Sequence, residues 1–259
     1  MPNLPLILIP PSEGKAPGGD GPAWAPGTMA VDLDDRRQRV MAALRQAMRR
    51  NAAERGKLLG VKGDALAAAT AANRAIATSP TMPASQRFTG VLYDALDLAT
   101  LSARARRRAD SSLLVLSGVF GLVAPSDPIP DHKLKMSVAV GGLGKLSTWW
   151  REPISQELTR RSEGRLVWNL LPNEHAAAVH LHDVTQITVT FLEPDRTGEL
   201  VAVAHWNKLL KGSLVRHLLE HPDLAPDDLG DWQHPEGFVL DRGRTEVDGA
   251  LTTLAFVRT

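Results

Sequence analysis

No cysteine occurs anywhere in the 259 residues. That absence excludes disulfides, thiolate-held zinc or iron–sulfur clusters, and every thiol nucleophile or redox sensor. An excess of charge is missing too: 30 Lys plus Arg stand against 29 Asp plus Glu, a formal net charge of +1. A chain-wide basic coat is thereby excluded, and any affinity for nucleic acid has to come from a local patch. Long apolar runs are also lacking. The longest uncharged stretch, 111–126, holds Gly118, Gly121 and Pro125, and it falls short of the ~20 apolar residues of a membrane helix. The apolar segment near the start is brief, has a proline inside it and follows no basic residues, unlike a signal sequence. These features predict a cytoplasmic protein with no membrane partner.

What is present is ordinary globular material, 43% hydrophobic and 23% charged. Residues 4–9 form an apolar run halted by Pro10-Pro11, which predicts a buried first strand. The Gly- and Pro-dense stretch 11–28 reads as a loop. Asp32, Asp34 and Asp35 then precede Val40, Leu44 and Met48 at helical spacing, with the acids at the positive end of the helix dipole. An alanine-rich helical pattern covers 64–76, and Pro80 and Pro83 close that region. Further on, strands are expected at 113–116, 166–170, 187–192, 200–204, 238–240 and 251–257, with helices at 149–161, 173–179 and 207–220. The segment 193–198 reads as a hairpin connection. The mixture predicts an α/β or α+β protein: one domain over 1–259 with a mixed β-sheet core flanked by helices.

Within 40–78 lies a helix-hairpin-helix-like element. Gly60 and Gly63 bracket Val61 and Lys62 between two helical patterns. Without a Cβ, the glycine backbone can approach a phosphate closely. The free N–H groups at the start of the second helix supply donors and partial positive charge. Such a turn grips a DNA backbone without reading bases. Arg49, Arg50, Arg55 and Lys57 flank it, in a basic stripe with Arg36, Arg37, Arg39 and Arg45, and Arg104, Arg106, Arg107 and Arg108 form a second cluster. The competing reading is a solvated helix face beside a glycine-terminated corner.

Other chemistry is weaker in the sequence. Pro11-Ser-Glu-Gly-Lys15 lacks the first glycine and the final Ser/Thr of a nucleotide loop. It does follow the first strand, where α/β folds present ligand loops, so Lys15 is a candidate anion ligand. Glu174, His175, His180 and His182 do not have zincin spacing, and His217 and His221, four apart, could chelate on a helix face but are as easily exposed. Neither a Gly-x-Ser-x-Gly elbow nor a dinucleotide fingerprint occurs, and Trp149-Trp150 reads as core. No metal site and no cofactor are expected.

Seven blocks together resemble the YaaA family of peroxide stress proteins: LILIPPSEGK (6–15), RFTGVLYDAL (87–96), LSGVFGLVAPSDPIPDHKLKM (116–136), the Trp149-Trp150 helix, VWNLLPNEH (167–175), WNKLLKGSLVRHLL (206–219) and PEGFVLD (235–241). The resemblance implies a cytosolic α/β protein with a helix-hairpin-helix beside a positive cleft, which binds DNA without sequence preference and limits unincorporated iron and oxidative damage. It also implies cleft positions. Lys15, Asn169, Glu174 and Glu236 are the candidate catalytic groups. Thr89, Gly90, Ser117, Gly118, Asp127, Lys133 and Lys211 are the candidate ligand-binding groups. The chain departs from many relatives at His132 and His175, where they carry Tyr, and at Lys133, where they carry Arg. The alternative function is an enzyme acting on a small anionic or nucleobase-like ligand, with Lys15, Lys133 and Lys211 neutralising charge, Glu174 or Glu236 moving a proton and Asn169 orienting the ligand.

Overall fold

The computed structural model describes residues 4–203 and 207–258. In chain order the elements are β1 (Leu6–Ile9), β2 (Gly21–Ala23), α1 (Asp34–Ala47), α2 (Ala52–Leu59), α3 (Gly63–Ala75), β3 (Pro80–Pro83), α4 (Ala84–Arg87), α5 (Val91–Leu96), α6 (Ala103–Ser112), β4 (Leu113–Ser117), β5 (Gly121–Val123) and β6 (Pro128–Ile129). The second half comprises α7 (Leu146–Arg161), β7 (Val167–Asn169), α8 (Asn173–Ala176), β8 (Gln186–Pro194), β9 (Leu200–Ala202), α9 (Asn207–Glu220), β10 (Phe238–Asp248) and β11 (Leu251–Arg258).

Eight strands form one mixed sheet in the order β10-β11-β8-β7-β1-β4-β5, with β9 paired to β8. From β11 to β4 the neighbours run parallel, while β5, β9 and β10 attach antiparallel. The sequence explains the layering. β1 (LILI) and β4 (LLVLS) are buried at every residue, as strands covered on both faces must be. By contrast, β8 alternates half-buried and buried positions along its first six residues. Helices α7 and α9 turn Trp150, Ile154 and Leu158, and Leu210, Leu214 and Leu218, into a core continuous with those strands.

The expected α/β architecture is observed, with local differences. The 11–28 stretch is not wholly loop, because β2 pairs with β3 and β3 with β6 in a separate three-stranded sheet. Pro80 and Pro83 therefore begin and end a strand instead of merely closing the helical region, and those are positions where a missing N–H is tolerated. The helix expected over 173–179 stops at Ala176, whereas the last two strands extend further than their apolar residues indicated. Two residues used in the sequence reading, Ala204 at a strand end and Trp206 at the start of a block, lie outside the described residues.

Strand order creates the site. β1 sits between β4 on one side and β7 on the other, so the chain leaves β1 at a reversal of strand order. At such a point the loops beyond the carboxyl ends diverge and leave a crevice for ligands.

Candidate anion cleft and the adjoining glycine turn

The crevice floor is the loop after β1. Pro10-Pro11 ends the strand, and Tyr93 Oη donates to the Pro10 carbonyl at 2.8 Å. Thr89 N–H donates to Ser12 Oγ at 3.1 Å, and Lys15 bridges Phe88 through the backbone. Below it the buried Arg87 guanidinium donates to the carbonyls of Ala16, Gly18 and Ile129. The loop is thus anchored from below by groups that the block 87–96 contains.

Lys15 is half-buried, with Nζ 3.2 Å from the Ser12 carbonyl and 5.7 Å from the Phe88 ring centre. Burial draws its pKa down to about 8, with Lys133 and Arg87 adding to the fall and Asp131 and Glu13 opposing it. Lys133 and Lys135 reach the same loop from the segment between β6 and α7. Lys133 Nζ lies 3.2 Å from one Glu13 oxygen and Lys135 Nζ 3.1 Å from the other. Those contacts, the Lys135 hydrogen bond foremost, hold the Glu13 carboxyl below the usual range.

The lysine segment is itself fixed. Asn73, buried on α3, exchanges two 2.9 Å hydrogen bonds with the backbone of Lys133. Gly118 lies directly beneath: a Cβ there would come within 3.0 Å of the Leu134 carbonyl oxygen. Between these lysines and α8 is a small pocket of about 50 Å³, lined by Ser12, Glu13, Lys15 and His175 among others. Glu174 on its rim accepts from Ser137 N and Oγ, at 3.2 and 2.8 Å. His175 is buried, its Nδ1 has no hydrogen-bond partner among the described residues, and burial lowers its pKa. A neighbouring cleft of about 160 Å³ on the other side of the loop is lined by Thr89, Gly90, Tyr93 and Lys208.

Other expected site residues are placed elsewhere or are engaged within the fold. Ser117 Oγ accepts from Val119 and Phe120 N–H in a buried turn, and the Gly118 carbonyl accepts from Trp150 Nε1. Both oxygens of the buried Asp127 accept backbone N–H groups, from Ala30 and Ala124, each at 2.7 Å, although burial raises its pKa. Asn169 spends its amide on Gln186 and on Leu171 N–H. Lys211 donates to the Leu170 carbonyl at 3.1 Å. Glu236 lies in the turn before β10, where its N–H donates to His234, whose other ring nitrogen bonds the Leu210 carbonyl in α9. His132 is core, edge-on to Phe120. Glu13, Lys135, Tyr93 and Arg87 join the cleft without being expected from sequence, though all four lie inside the family-like blocks and Lys133 and Lys135 stand two residues apart.

Beside the cleft stands the glycine turn. Asn51 caps α2 by accepting from Glu54 N–H at 3.0 Å, and α2 ends at Gly60 in the left-handed region, φ +68°. α3 then begins at Gly63, also left-handed at φ +55°, and Lys62 supplies no side-chain cap to the first amides of α3. Gly60, Lys62 and Gly63 are exposed, and nothing lies within 4 Å of where a Gly63 Cβ would be. On Gly60, that position is 3.9 Å from Lys135 Nζ. Lys135 therefore stands between the turn and the Lys15 loop.

The basic stripe divides on inspection. Arg49, Arg50, Lys57 and Lys62 are exposed, Arg55 is half-buried, and Arg50 pairs loosely with Glu54. Arg37 does not belong to it: the side chain is fully buried, donating to the Val31, Phe120 and Leu122 carbonyls and to Asp34. Arg36 and Arg39 cover the Trp149 ring from 4.8 and 4.6 Å. The second cluster rides on α6, which packs against α9 and leads into β4. Among the described residues no group of three or more His, Asp or Glu side chains is placed to hold a metal ion, and no helix is long and apolar enough to cross a membrane.

Comparison with known proteins matches this framework over most of its length. A family model described as "Peroxide stress protein YaaA" covers residues 6–243. A UPF0246 protein of Streptomyces coelicolor is 36% identical over 215 residues, spanning 83% of this chain and 82% of the relative. Another from Corynebacterium glutamicum is 36% identical over 218 residues, 82% of this chain and 84% of its own. A third, from Cereibacter sphaeroides, is 32% identical over 160 residues, or 59% and 62% of the two chains.

Proposed function

Because the chain belongs to the YaaA family of peroxide stress proteins, we propose that it serves the stress response in the cytoplasm by gripping DNA through the α2–α3 turn. In this reading, bound DNA is shielded while free iron and oxidative damage are held down. The observation that carries it is the exposed turn: two left-handed glycines, uncapped amides at the start of α3, and Lys62 and Lys135 beside them. Amides and the helix dipole position a backbone phosphate, and the lysines add charge. No base edge is addressed, so binding is indifferent to sequence.

Gel shifts with random-sequence duplex test this. Lys62→Glu and Gly63→Pro each weaken binding by about tenfold or more, the scale expected when one phosphate interaction is removed or reversed near a polyanion. Unchanged affinity in both variants, with circular dichroism showing them folded, removes the turn from the interface.

A second reading is an enzyme for a small anionic or nucleobase-like ligand. It is favoured by Lys15, half-buried with its pKa drawn down to about 8, and by the unpartnered Nδ1 of His175 in the same pocket. Groups poised this way are frequent in active sites. Of the expected catalytic residues, Glu174 joins Lys15 at the pocket, whereas Glu236 adjoins His234 and α9. A thermal-shift screen of nucleotides, nucleosides and organic acids tests it, and stabilisation that Lys15→Ala leaves intact counts against it.

A further inference from the structure

We propose that Lys133 and Lys135, with Lys15 behind them, form a site for a phosphoryl group, and that the carboxylate of Glu13 occupies that site in the free protein as a displaceable internal stand-in. Three observations converge. One carboxylate divides its two oxygens between two ammonium groups, at 3.2 and 3.1 Å, as a bridging phosphoryl oxygen pair would. The two partners differ in exposure. The Glu13 side chain is 62% exposed, whereas those of Lys133 and Lys135 are 19% and 37% exposed and the Lys133 backbone is clamped by Asn73. The lysines are therefore the more deeply set part, and the carboxylate is the part that solvent reaches most freely. Finally, the small pocket behind Glu13 brings in Lys15 and the buried His175 ring, whose Nδ1 lacks a partner.

Displacement costs little because the carboxylate side of both ion pairs is open to water, which screens them. A dianionic phosphoryl group satisfies both lysines, while Glu13 swings to solvent and regains its hydration. The consequence is a threshold: monovalent anions compete poorly with the resident carboxylate, and multivalent ones prevail. The site deepens the reading of this cleft as anion-binding. Its probe is inorganic pyrophosphate, so it can stand or fall separately from duplex binding at the glycine turn.

Isothermal titration of the full chain with pyrophosphate is the test. Glu13→Gln keeps the loop's shape but removes the internal anion, and it binds pyrophosphate about three- to tenfold more tightly than the unaltered protein, the worth of one or two exposed pairs. The double variant Lys133→Gln/Lys135→Gln loses at least tenfold, and Arg104→Glu on α6 changes nothing. A gain of affinity cannot arise from misfolding, so Glu13→Gln is the deciding variant. Equal or weaker binding by Glu13→Gln, or no binding by either protein, overturns the proposal. Duplexes ending in 5′-phosphate or 5′-hydroxyl then separate the two sources of the group: a gain confined to phosphorylated ends assigns a terminal phosphate, and an equal gain assigns the backbone.

Discussion

As the proposed anion ligand, Lys15 would combine two demands that pull against each other, since its ammonium would have to be charged to hold an anion yet sits where burial disfavours charge. Its folded pKa, lowered from 10.5 to about 8, reflects that conflict, with Asp131 and Glu13 facing it on the favourable side and Lys133 and Arg87 on the other. Two consequences differ in sign. Anion affinity is present below about pH 8 and falls as the pH rises through that value. Stability moves oppositely: between about 8 and 10.5 the unfolded chain holds a proton that the folded one has released, so stability rises across this window. Comparing pyrophosphate affinity of the unaltered protein and Lys15→Arg at about pH 7 and pH 9 checks the first, because arginine stays charged throughout. The difference between the proteins grows on the alkaline side, and parallel profiles would exclude Lys15 from the site.

Residue identity in the sequence pointed to this position and to Lys133, but it did not separate ligands from scaffolding. Ser117, Gly118 and Asp127 stand in the block 116–136, yet their polar atoms or their lack of a side chain serve the fold. Glu13 escaped notice because its meaning lies in two lysines far along the chain, a relation no local pattern contains.

At the scale of elements, the glycines show how context reverses propensity. Gly212 lies inside α9, where alanine is ordinarily the better residue by about 1 kcal/mol. Here α9 crosses α5 so closely that a Cβ on Gly212 would run into the Leu92 carbonyl and come within 2.9 Å of Ala95 Cβ. Gly212→Ala is therefore expected to destabilise the protein by about 1–2 kcal/mol, overpacking outweighing propensity, and urea unfolding measures it. A rise in midpoint would mean that the helices separate easily. The α2–α3 corner is the opposite case. Its glycines meet no obstruction beyond Lys135, so their backbone serves the turn and its surroundings stay open. Helical periodicity foretold α3 and α9 well. It passed over β2 and β3, short strands whose pairing partners supply what their proline- and glycine-bearing sequences lack.

Across the whole molecule, a net charge of +1 leaves no general attraction for a polyanion, so binding depends on where the cations gather. The α2–α3 side presents Arg49, Arg50, Lys57 and Lys62 in the open, with Lys135 joining them to the Lys15 loop. Contact through three to five of these gives a log–log salt slope of about −3 to −5 for duplex affinity. Reversing Arg104 and Arg107 on α6 leaves that slope and the affinity within about twofold, as exposed charges that do not touch the bound duplex are screened by salt. An equal loss from either cluster would show diffuse attraction in place of a defined face. Filter binding from low to physiological salt decides between them.

The sequence by itself determined the absence of thiol chemistry, the buried first strand, the amphipathic helix at 207–220 and the glycine-bracketed corner, because composition and short-range periodicity are local properties. Only the tertiary structure decided that Lys135 stands between corner and cleft, that Arg37 is core, and that Glu13 bridges two lysines. Those relations arise where β1 lies between β4 and β7, bringing distant segments together at the ends of three strands, and strand order is a property of the folded sheet that no single stretch of chain encodes.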